Sequence, residues 1–176
     1  MNKPDHLAPG SPIPSVSFRI RHDGDWGSIT SNEIFSGRTV IVFALPGAFT
    51  PTCSSTHLPG YVALSRELRA AGVDEIYCLS VNDAFVMNAW AMEQGVKDEV
   101  IMLPDGNGEF TDGIGMLVDK SDLGFGLRSW RYSMLVRDGN IDTMFVEDFA
   151  VVGDPFEVSD AQTMLSALVS PQSMTP

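Results

Sequence analysis

The chain has 176 residues, of which 44% are hydrophobic and 19% are charged, a balance typical of one globular domain spanning residues 1–176. Its formal net charge of −12 opposes binding to nucleic acid and to anionic membranes. No apolar run approaches the length of a membrane span, and the first residues lack the apolar core of a signal peptide, so a cytoplasmic location is the default expectation.

An N-terminal β-hairpin is the first element that the sequence predicts. Two short stretches with strand character flank the turn signal Asp23-Gly24-Asp25. A short helix follows, and then an apolar run that is typical of a buried strand. The predicted boundaries are 16–20 and 26–29 for the hairpin, 31–35 for the helix and 40–44 for the buried strand.

A longer helix is predicted after this strand, with Thr50 as its N-cap and its end near residue 71. Pro51 fits the first helical position, because the N–H that proline lacks would have no partner there. Apolar residues then recur every three or four positions, and Gly72 is a natural stop signal. Pro59 lies inside this pattern and is predicted to kink the helix.

The second half of the chain is predicted to add strands, two helices and a second hairpin. Asn82 or Asp83 is expected to cap the first helix, which Gly95 ends, and a capping box over residues 159–162 opens the last one. Residues 107–130 are not assigned, although 124–127 are expected to form a loop with exposed apolar side chains. The predicted strands are residues 75–81, 100–103, 131–136 and 141–146. This order predicts an α/β fold with a mixed sheet and helices on both faces.

Cys53 is the first candidate for chemistry. It falls in the first turn of the predicted long helix, where free N–H groups and the helix dipole stabilise negative charge. A lone cysteine in an apolar chain is more often an inert core residue. Cys53, however, has polar neighbours, namely Thr50, Thr52, Ser54 and Ser55. The local pattern therefore favours a reactive thiolate.

The segment 46–61 resembles the active-site signature of the peroxiredoxins, in particular the type II (type-five) subfamily. It reads Pro-Gly-Ala-Phe-Thr-Pro-Thr-Cys-Ser-Ser-Thr-His-Leu-Pro-Gly-Tyr, and the Pro-x-x-x-Thr-x-x-Cys core of the family matches Pro46, Thr50 and Cys53. The resemblance implies a thioredoxin-like fold and a thiol peroxidase that needs no metal or cofactor. It implies that Cys53 attacks hydrogen peroxide or an alkyl hydroperoxide, that the Thr50 hydroxyl bonds the thiolate and the peroxide, and that Pro46 shields the thiolate from water.

The sulfenic acid that this reaction leaves on Cys53 must then be reduced. No cysteine follows Cys78, so a resolving cysteine near the C-terminus is absent from the sequence and an external thiol is expected. The relatives that this sequence resembles use glutathione with glutaredoxin, and some use thioredoxin. Two cysteines cannot form the disulfide framework of a secreted protein, and three histidines without a paired-cysteine motif argue against structural zinc.

A cation beside Cys53 is also expected. A free thiol ionises near pH ~8.5, and a helix N-terminus stabilises an anion by only ~0.3–1 kcal/mol, too little to make the thiolate the main form at neutral pH. Arg131, in the segment Ser-Trp-Arg-Tyr-Ser-Met, resembles the active-site arginine of the family. Its guanidinium stays charged and offers several fixed donors. Arg128, three positions earlier, is the rival candidate.

Two other readings of Cys53 remain open from the sequence. His57 lies four residues after Cys53 on the same predicted helix face, so a cysteine hydrolase with a Cys–His pair is conceivable. The alternative for His57 is a histidine packed beside the kink at Pro59. A redox sensor without turnover would also use an oxidisable Cys53. Cys78, inside an apolar predicted strand, is interpreted as a buried thiol.

A homodimer is the last expectation. Phe49 lies beside the predicted nucleophile, and Phe125 and Leu127 lie among glycines in a loop. Clustered exposed apolar residues of this kind usually mark an interface, and related peroxiredoxins pair through this edge. We expect a modest interface that dissociates on dilution.

Overall fold

An N-terminal β-hairpin opens the structure, a computed structural model that describes residues 5–170. Strands β1 (Ser17–His22) and β2 (Asp25–Thr30) pair antiparallel, and helix α1 (Ser31–Phe35) follows directly. Thr30 and Glu33 form a capping box at the start of α1, each side chain accepting from the other residue's backbone N–H. The predicted hairpin is confirmed, with strands one or two residues longer at most ends.

A five-stranded mixed sheet forms the centre of the molecule. The remaining strands are β3 (Thr39–Ala44), β4 (Glu75–Ser80), β5 (Ile101–Pro104), β6 (Leu117–Asp119), β7 (Leu127–Ser129), β8 (Tyr132–Arg137) and β9 (Asn140–Val146). The central order is β5-β4-β3-β8-β9, and β6 pairs with β7 separately. Strands β3, β4 and β5 are parallel, whereas β8 is antiparallel to β3 and to β9. This confirms the expected thioredoxin-like architecture.

Helices cover both faces of this sheet. They are α2 (Leu58–Ala63), α3 (Ser65–Ala70), α4 (Ala84–Glu93), α5 (Glu109–Ile114) and α6 (Ala161–Val169). One core layer packs α2, α3, α4 and α6 against the sheet and includes Cys53, Cys78 and Trp90. The other layer packs the hairpin, α1 and α5 against the opposite face. Within residues 5–170, no helix is both long and apolar enough to cross a bilayer.

The predicted long helix from Thr50 to residue 71 is not continuous. Helical residues begin at Pro51, a π-helical turn spans Cys53–His57, and Leu64 then separates α2 from α3. Pro59 explains the wide turn, because it has no N–H to donate one turn back. The Leu58 N–H instead bonds the Cys53 carbonyl five residues earlier. The irregularity predicted at Pro59 therefore lies in the turn that carries Cys53.

The structure selects one of the two caps predicted for α4 and contradicts the cap predicted for α6. Asp83, not Asn82, caps α4 by accepting from the Val86 N–H. The capping box predicted to start at Ser159 is wrong, since Asp160 caps α6 by accepting from the Thr163 N–H. In both cases the displaced side chain is held by a tertiary contact.

The unassigned stretch 107–130 contains α5, β6, β7 and a short 3₁₀ turn at Ser121–Leu123. Glycines at both ends of α5 adopt left-handed backbone angles. They interrupt the apolar periodicity from which a helix is predicted, so α5 was not assigned from the sequence. The loop predicted at residues 124–127 does carry exposed apolar side chains. Phe125 is 37% exposed and Leu127 is 57% exposed.

Candidate active site

Cys53 lies at the start of the helical segment that follows β3. The loop between them is tied to β4 and its end, since Leu45 N–H donates to the Leu79 carbonyl and Ala48 N–H donates to Asn82 Oδ1. This contact explains why Asn82 does not cap α4. The Cys53 side chain is completely buried, beneath the loop and against the sheet. Strand, loop and helix start thus deliver the thiol to an enclosed position.

Thr50 does not act as the predicted side-chain cap of this helix. Its Oγ1 donates to the Gly47 carbonyl at 2.7 Å, while its own carbonyl accepts from the Ser54 N–H at 3.0 Å. The hydroxyl proton is therefore already used, and the described residues show no hydrogen bond between Thr50 and the Cys53 sulfur. The lone pairs of Oγ1 remain available to accept from a peroxide O–H.

Arg131 is the cation that the fold brings to Cys53. It lies just before β8 and is 1% exposed, and its Nη2 donates to Cys53 Sγ at 3.4 Å. The rival Arg128 points elsewhere, with Nε donating to the Phe125 carbonyl and Nη1 to the Val81 carbonyl. Of the two arginines considered from the sequence, only Arg131 contacts the sulfur.

Asp154 completes the charge balance of this guanidinium. Its Oδ1 accepts from Arg131 Nη2 at 2.6 Å and from Nε at 3.2 Å. Burial opposes the charge on Arg131, but the thiolate of Cys53 and the carboxylate of Asp154 outweigh it and raise the pKa of Arg131 above its ordinary value. Arg131 is therefore a permanent cation, and one of its nitrogens serves both the sulfur and the carboxylate.

His57 is occupied on both ring nitrogens, neither of them by Cys53. Nδ1 lies 2.9 Å from Arg131 Nη1 and must accept from it, while Nε2 lies 3.1 Å from the Ser159 carbonyl and must donate to it. Burial, and then the Arg131 charge, hold the pKa of His57 well below its ordinary value. A neutral histidine with no free nitrogen cannot serve as the base of a Cys–His hydrolase.

Glu147 fixes the loop that carries Asp154, the partner of Arg131, and leads to Ser159, the partner of His57. Its carboxylate is 1% exposed and accepts from the backbone N–H groups of residues 157, 158 and 159 and from Ser159 Oγ. These bonds join the two ends of the loop formed by residues 148–156. Within this loop Asp154 accepts from Arg131, and just after the loop the Ser159 carbonyl accepts from His57 and from the Tyr61 hydroxyl. The same bond keeps Ser159 from capping α6.

We expect Glu147→Gln to destabilise the protein by about 1–2 kcal/mol at neutral pH, because charge-assisted bonds become neutral ones. Burial raises the pKa of Glu147, but the bonds from Ser159 and from the 157–158 backbone outweigh it, so the folded-state pKa is lower than the unfolded value of 4.5. The carboxylate therefore contributes its full stability above the unfolded pKa and loses it as the pH falls through the folded pKa.

Urea unfolding of wild type and Glu147→Gln across the acidic range measures this difference. The stability gap between the two proteins should shrink as the pH falls below about 4.5. His57 is present in both proteins, so its own acid sensitivity acts on both unfolding curves in the same direction. A gap independent of pH would show that Glu147 acts through packing and not through its charge.

Cys78 is buried in the middle of the central sheet. It lies on β4 opposite Phe43 of β3 and has no solvent exposure. Burial, with a smaller contribution from Cys53, raises its pKa well above the ordinary thiol value. The interpretation of Cys78 as a buried thiol agrees with this position.

A cavity of about 280 Å³ is lined by residues of the loop that precedes Cys53, while the buried Cys53 itself is not part of the lining. Pro46 and Thr50 line one side of it and Asp154 lines another, so its walls include direct neighbours of the Cys53–Arg131 pair. The remaining lining residues are Pro51, Thr52, Lys120, Leu123, Phe125 and Gly153. Pro46 is buried at this wall, as a shielding residue must be.

Comparison with known proteins identifies the family to which the chain belongs. The Redoxin family profile matches residues 8–165. The chain is 56% identical over 169 residues to a Synechocystis peroxiredoxin (sll1621), covering 89% of this chain and 88% of that protein. The chain belongs to the peroxiredoxin family. With this membership, it is a thiol peroxidase of the type II group.

Two further peroxiredoxins place the chain within the family. It is 57% identical over 159 residues to the hybrid peroxiredoxin hyPrx5 of Haemophilus influenzae, covering 90% of this chain but only 65% of that longer protein. A crystal structure of reduced Prx3 from Vibrio vulnificus, in complex with hydrogen peroxide, superimposes with a TM-score of 0.85 at 42% identity, covering 92% of this chain and 99% of that one. This similarity extends over nearly all of the peroxiredoxin fold.

The groups that hold Arg131 and His57 in place were not predicted from the sequence. Asp154, Glu147 and the Ser159 carbonyl follow Cys53 by about a hundred residues and carry no local motif. The Asp154-Pro155 pair indicates only a turn. Their partners are Arg131 and His57, and that pairing depends on the fold.

Proposed function

We propose that this chain, as a single domain, reduces hydrogen peroxide and alkyl hydroperoxides through Cys53. The observation that carries the proposal is the 3.4 Å contact between the buried Cys53 sulfur and Arg131 Nη2. The Cys53 thiolate attacks the terminal peroxide oxygen, so that an S–O bond forms as the O–O bond breaks. The released oxygen takes a proton and leaves as water or alcohol, and sulfur becomes a sulfenic acid.

Arg131, Thr50 and Pro46 are proposed to assist this step. Arg131 would stabilise the thiolate and then the negative charge that develops on the departing oxygen. Thr50 Oγ1 would accept from the peroxide proton, since its own proton is bound to the Gly47 carbonyl. Pro46 would keep water from the sulfur. The Vibrio Prx3 structure contains hydrogen peroxide, which supports hydrogen peroxide as a substrate of the present chain.

Glutathione with glutaredoxin is the reductant that we propose, and thioredoxin is the second choice. One glutathione thiol would displace water from the sulfenic acid to give a mixed disulfide. A second thiol, from glutaredoxin or glutathione, would attack that disulfide and restore the Cys53 thiol. Consumption of hydrogen peroxide with glutathione and glutaredoxin, compared with thioredoxin and thioredoxin reductase, tests the function and the reductant together. Absence of turnover with every thiol would contradict the proposal.

We expect Cys53 and Cys78 not to form a stable intramolecular disulfide. Cys78 is buried in β4, and the shift of its pKa keeps it in the poorly nucleophilic thiol form. Peptide mapping after treatment with equimolar peroxide and an excess of glutathione should find the glutathione adduct on Cys53. A dominant Cys53–Cys78 peptide would contradict this expectation and make Cys78 the resolving thiol, with an external thiol then reducing the Cys53–Cys78 disulfide.

A homodimer through the active-site edge is also proposed. Phe49 is 52% exposed and is held at a positive φ of 65°, a conformation that is unfavourable for a side chain of this size. Phe125, in the loop before β7, and Leu127, the first residue of β7, add exposed apolar surface. Burying this surface against a second copy would offset part of that cost.

Sedimentation velocity of the reduced protein over a wide concentration range should show a monomer–dimer equilibrium. Phe49→Asp should shift it to monomer, because a charge would be buried without a partner. Phe85→Asp is the matched control, since Phe85 is 58% exposed on α4, outside the proposed interface. A single monomer boundary at the highest concentration would contradict the dimer.

A further inference from the structure

Lys120 is a largely buried cation in the wall of the cavity that Thr50 and Asp154 also line. It follows β6 and is only 7% exposed, and its backbone bonds residues 123, 125 and 126. Its Nζ lies 4.8 Å from the centre of the Trp130 ring. Among residues 5–170, no carboxylate or hydrogen-bond acceptor contacts this ammonium group. A lysine is seldom enclosed in this way without an anionic partner.

The surroundings of Lys120 restrict what that partner can be. Asp154 is the acidic residue in the cavity lining, and its Oδ1 is bonded to Arg131. Leu123, Phe125 and the two prolines make the other walls largely apolar. The cavity therefore offers an apolar surface, one unpaired cation and direct access to the neighbours of the reactive sulfur. These features fit an organic molecule that carries an anionic group.

We propose that Lys120 forms a carboxylate subsite for organic hydroperoxides. A hydroperoxide with an apolar body and a carboxylate would place the body against Leu123 and Phe125, the carboxylate on Lys120 and the peroxide group at Cys53. This inference rests on the proposed peroxidase function and specifies its preferred substrate class. At about 280 Å³ the cavity holds part of such a molecule and leaves the rest in solvent.

The overall charge of the chain makes this cation important. With a formal net charge of −12, the protein repels anions at long range. A carboxylated peroxide therefore gains from the site only through a short-range contact with a cation. Arg131 is engaged with Cys53, His57 and Asp154, which leaves Lys120 as the cation of the cavity lining that is available for a carboxylate.

The test compares linoleic acid hydroperoxide with its methyl ester, below the concentration at which either forms micelles. The two differ in one negative charge, and the flexible chain does not require a fixed distance between the carboxylate and the peroxide. Hydrogen peroxide is the third substrate, because it cannot reach both Lys120 and Cys53. Rates of Cys53 oxidation are measured in single turnovers, at one protein concentration, for wild type, Lys120→Met and Lys120→Arg.

Lys120→Met should lower the second-order rate for the acid by about 10- to 100-fold, the effect of losing one charge-assisted hydrogen bond. The rates for the ester and for hydrogen peroxide should stay within about twofold of wild type, and Lys120→Arg should retain the acid rate. An equal loss for acid and ester, or no loss for either, would overturn the proposal and leave Lys120 as a packing partner of Trp130.

Two additional measurements separate the remaining outcomes. The first measurement uses only the wild type and so does not depend on the folding of a variant. Octanoate should slow the reaction with the methyl ester, and octanol, which has the same chain length but no charge, should not. Equal inhibition by both would overturn the carboxylate subsite. Slower glutathione reduction in Lys120→Met, with an unchanged acid rate, would assign the contact to the carboxylates of the reductant and overturn the substrate proposal. Failure of the peroxidase function itself would appear separately, as no reaction of wild type with hydrogen peroxide.

Discussion

Replacing Cys53 by serine is expected to abolish peroxide turnover, a loss of at least about 1,000-fold. The serine hydroxyl fits the same buried position but does not ionise near neutral pH, and no base is free to activate it. Arg131 is a permanent cation and cannot accept a proton, and His57 is bonded through both nitrogens to Arg131 and Ser159. Hydrogen peroxide consumption with glutathione and glutaredoxin measures the effect.

Cys78→Ser is the matched control for this change. Cys78 is equally buried, so the substitution is chemically the same but lies outside the Arg131 contact. Most peroxide turnover should remain. The new hydroxyl is enclosed without an assured partner and costs about 1–3 kcal/mol of stability, so both variants are assayed well below their unfolding temperatures. Activity retained in Cys53→Ser would remove Cys53 from the mechanism.

Arg131→Met is expected to slow Cys53 oxidation by about 100- to 1,000-fold, the usual effect of losing one donor to transition-state charge. Methionine fills most of the volume but supplies no charge and no donor to the sulfur. Iodoacetamide should also alkylate Cys53 more slowly, since the sulfur loses its contact with Nη2. Stopped-flow oxidation and alkylation rates measure both effects.

Arg128→Met and Arg131→Lys are the controls for this arginine. Arg128→Met makes the same change at a guanidinium that bonds the Phe125 and Val81 carbonyls, and should leave the alkylation rate unchanged. Arg131→Lys keeps the charge but cannot reach Cys53, His57 and Asp154 together, so an intermediate oxidation rate is expected. An unchanged alkylation rate in Arg131→Met would leave the helix start as the main source of thiolate stability.

Local sequence patterns were enough to predict the strands of the sheet and the segment that carries Cys53. An apolar run such as residues 40–44 has few stable alternatives to a buried strand. The second hairpin was predicted between residues 136 and 141, where Asp138 and Gly139 both adopt the positive φ that a tight hairpin turn needs. The motif from Pro46 to Cys53 is contiguous, so the loop and the helix start could be predicted together.

Competition between partners set the details that the sequence left open. Ser159 has the side chain of a helix cap, but the buried Glu147 carboxylate takes its hydroxyl, and Asp160 caps the helix instead. Asn82 likewise bonds the active-site loop, and Asp83 caps α4. A sequence pattern shows which residues are able to cap a helix. It does not show which of them a distant group will bind.

The sequence by itself was enough to predict Cys53 as the candidate nucleophile, the loop that presents it and an arginine as its neighbouring cation. Only the tertiary structure decided that Arg131 and not Arg128 contacts Cys53, and that Asp154 shares the same guanidinium. The physical reason is that a charge contact acts over a few ångströms in space and ignores the distance along the chain. The fold brings Cys53 and Arg131 into contact although 78 residues separate them in the chain. No local sequence pattern around either residue predicts that contact.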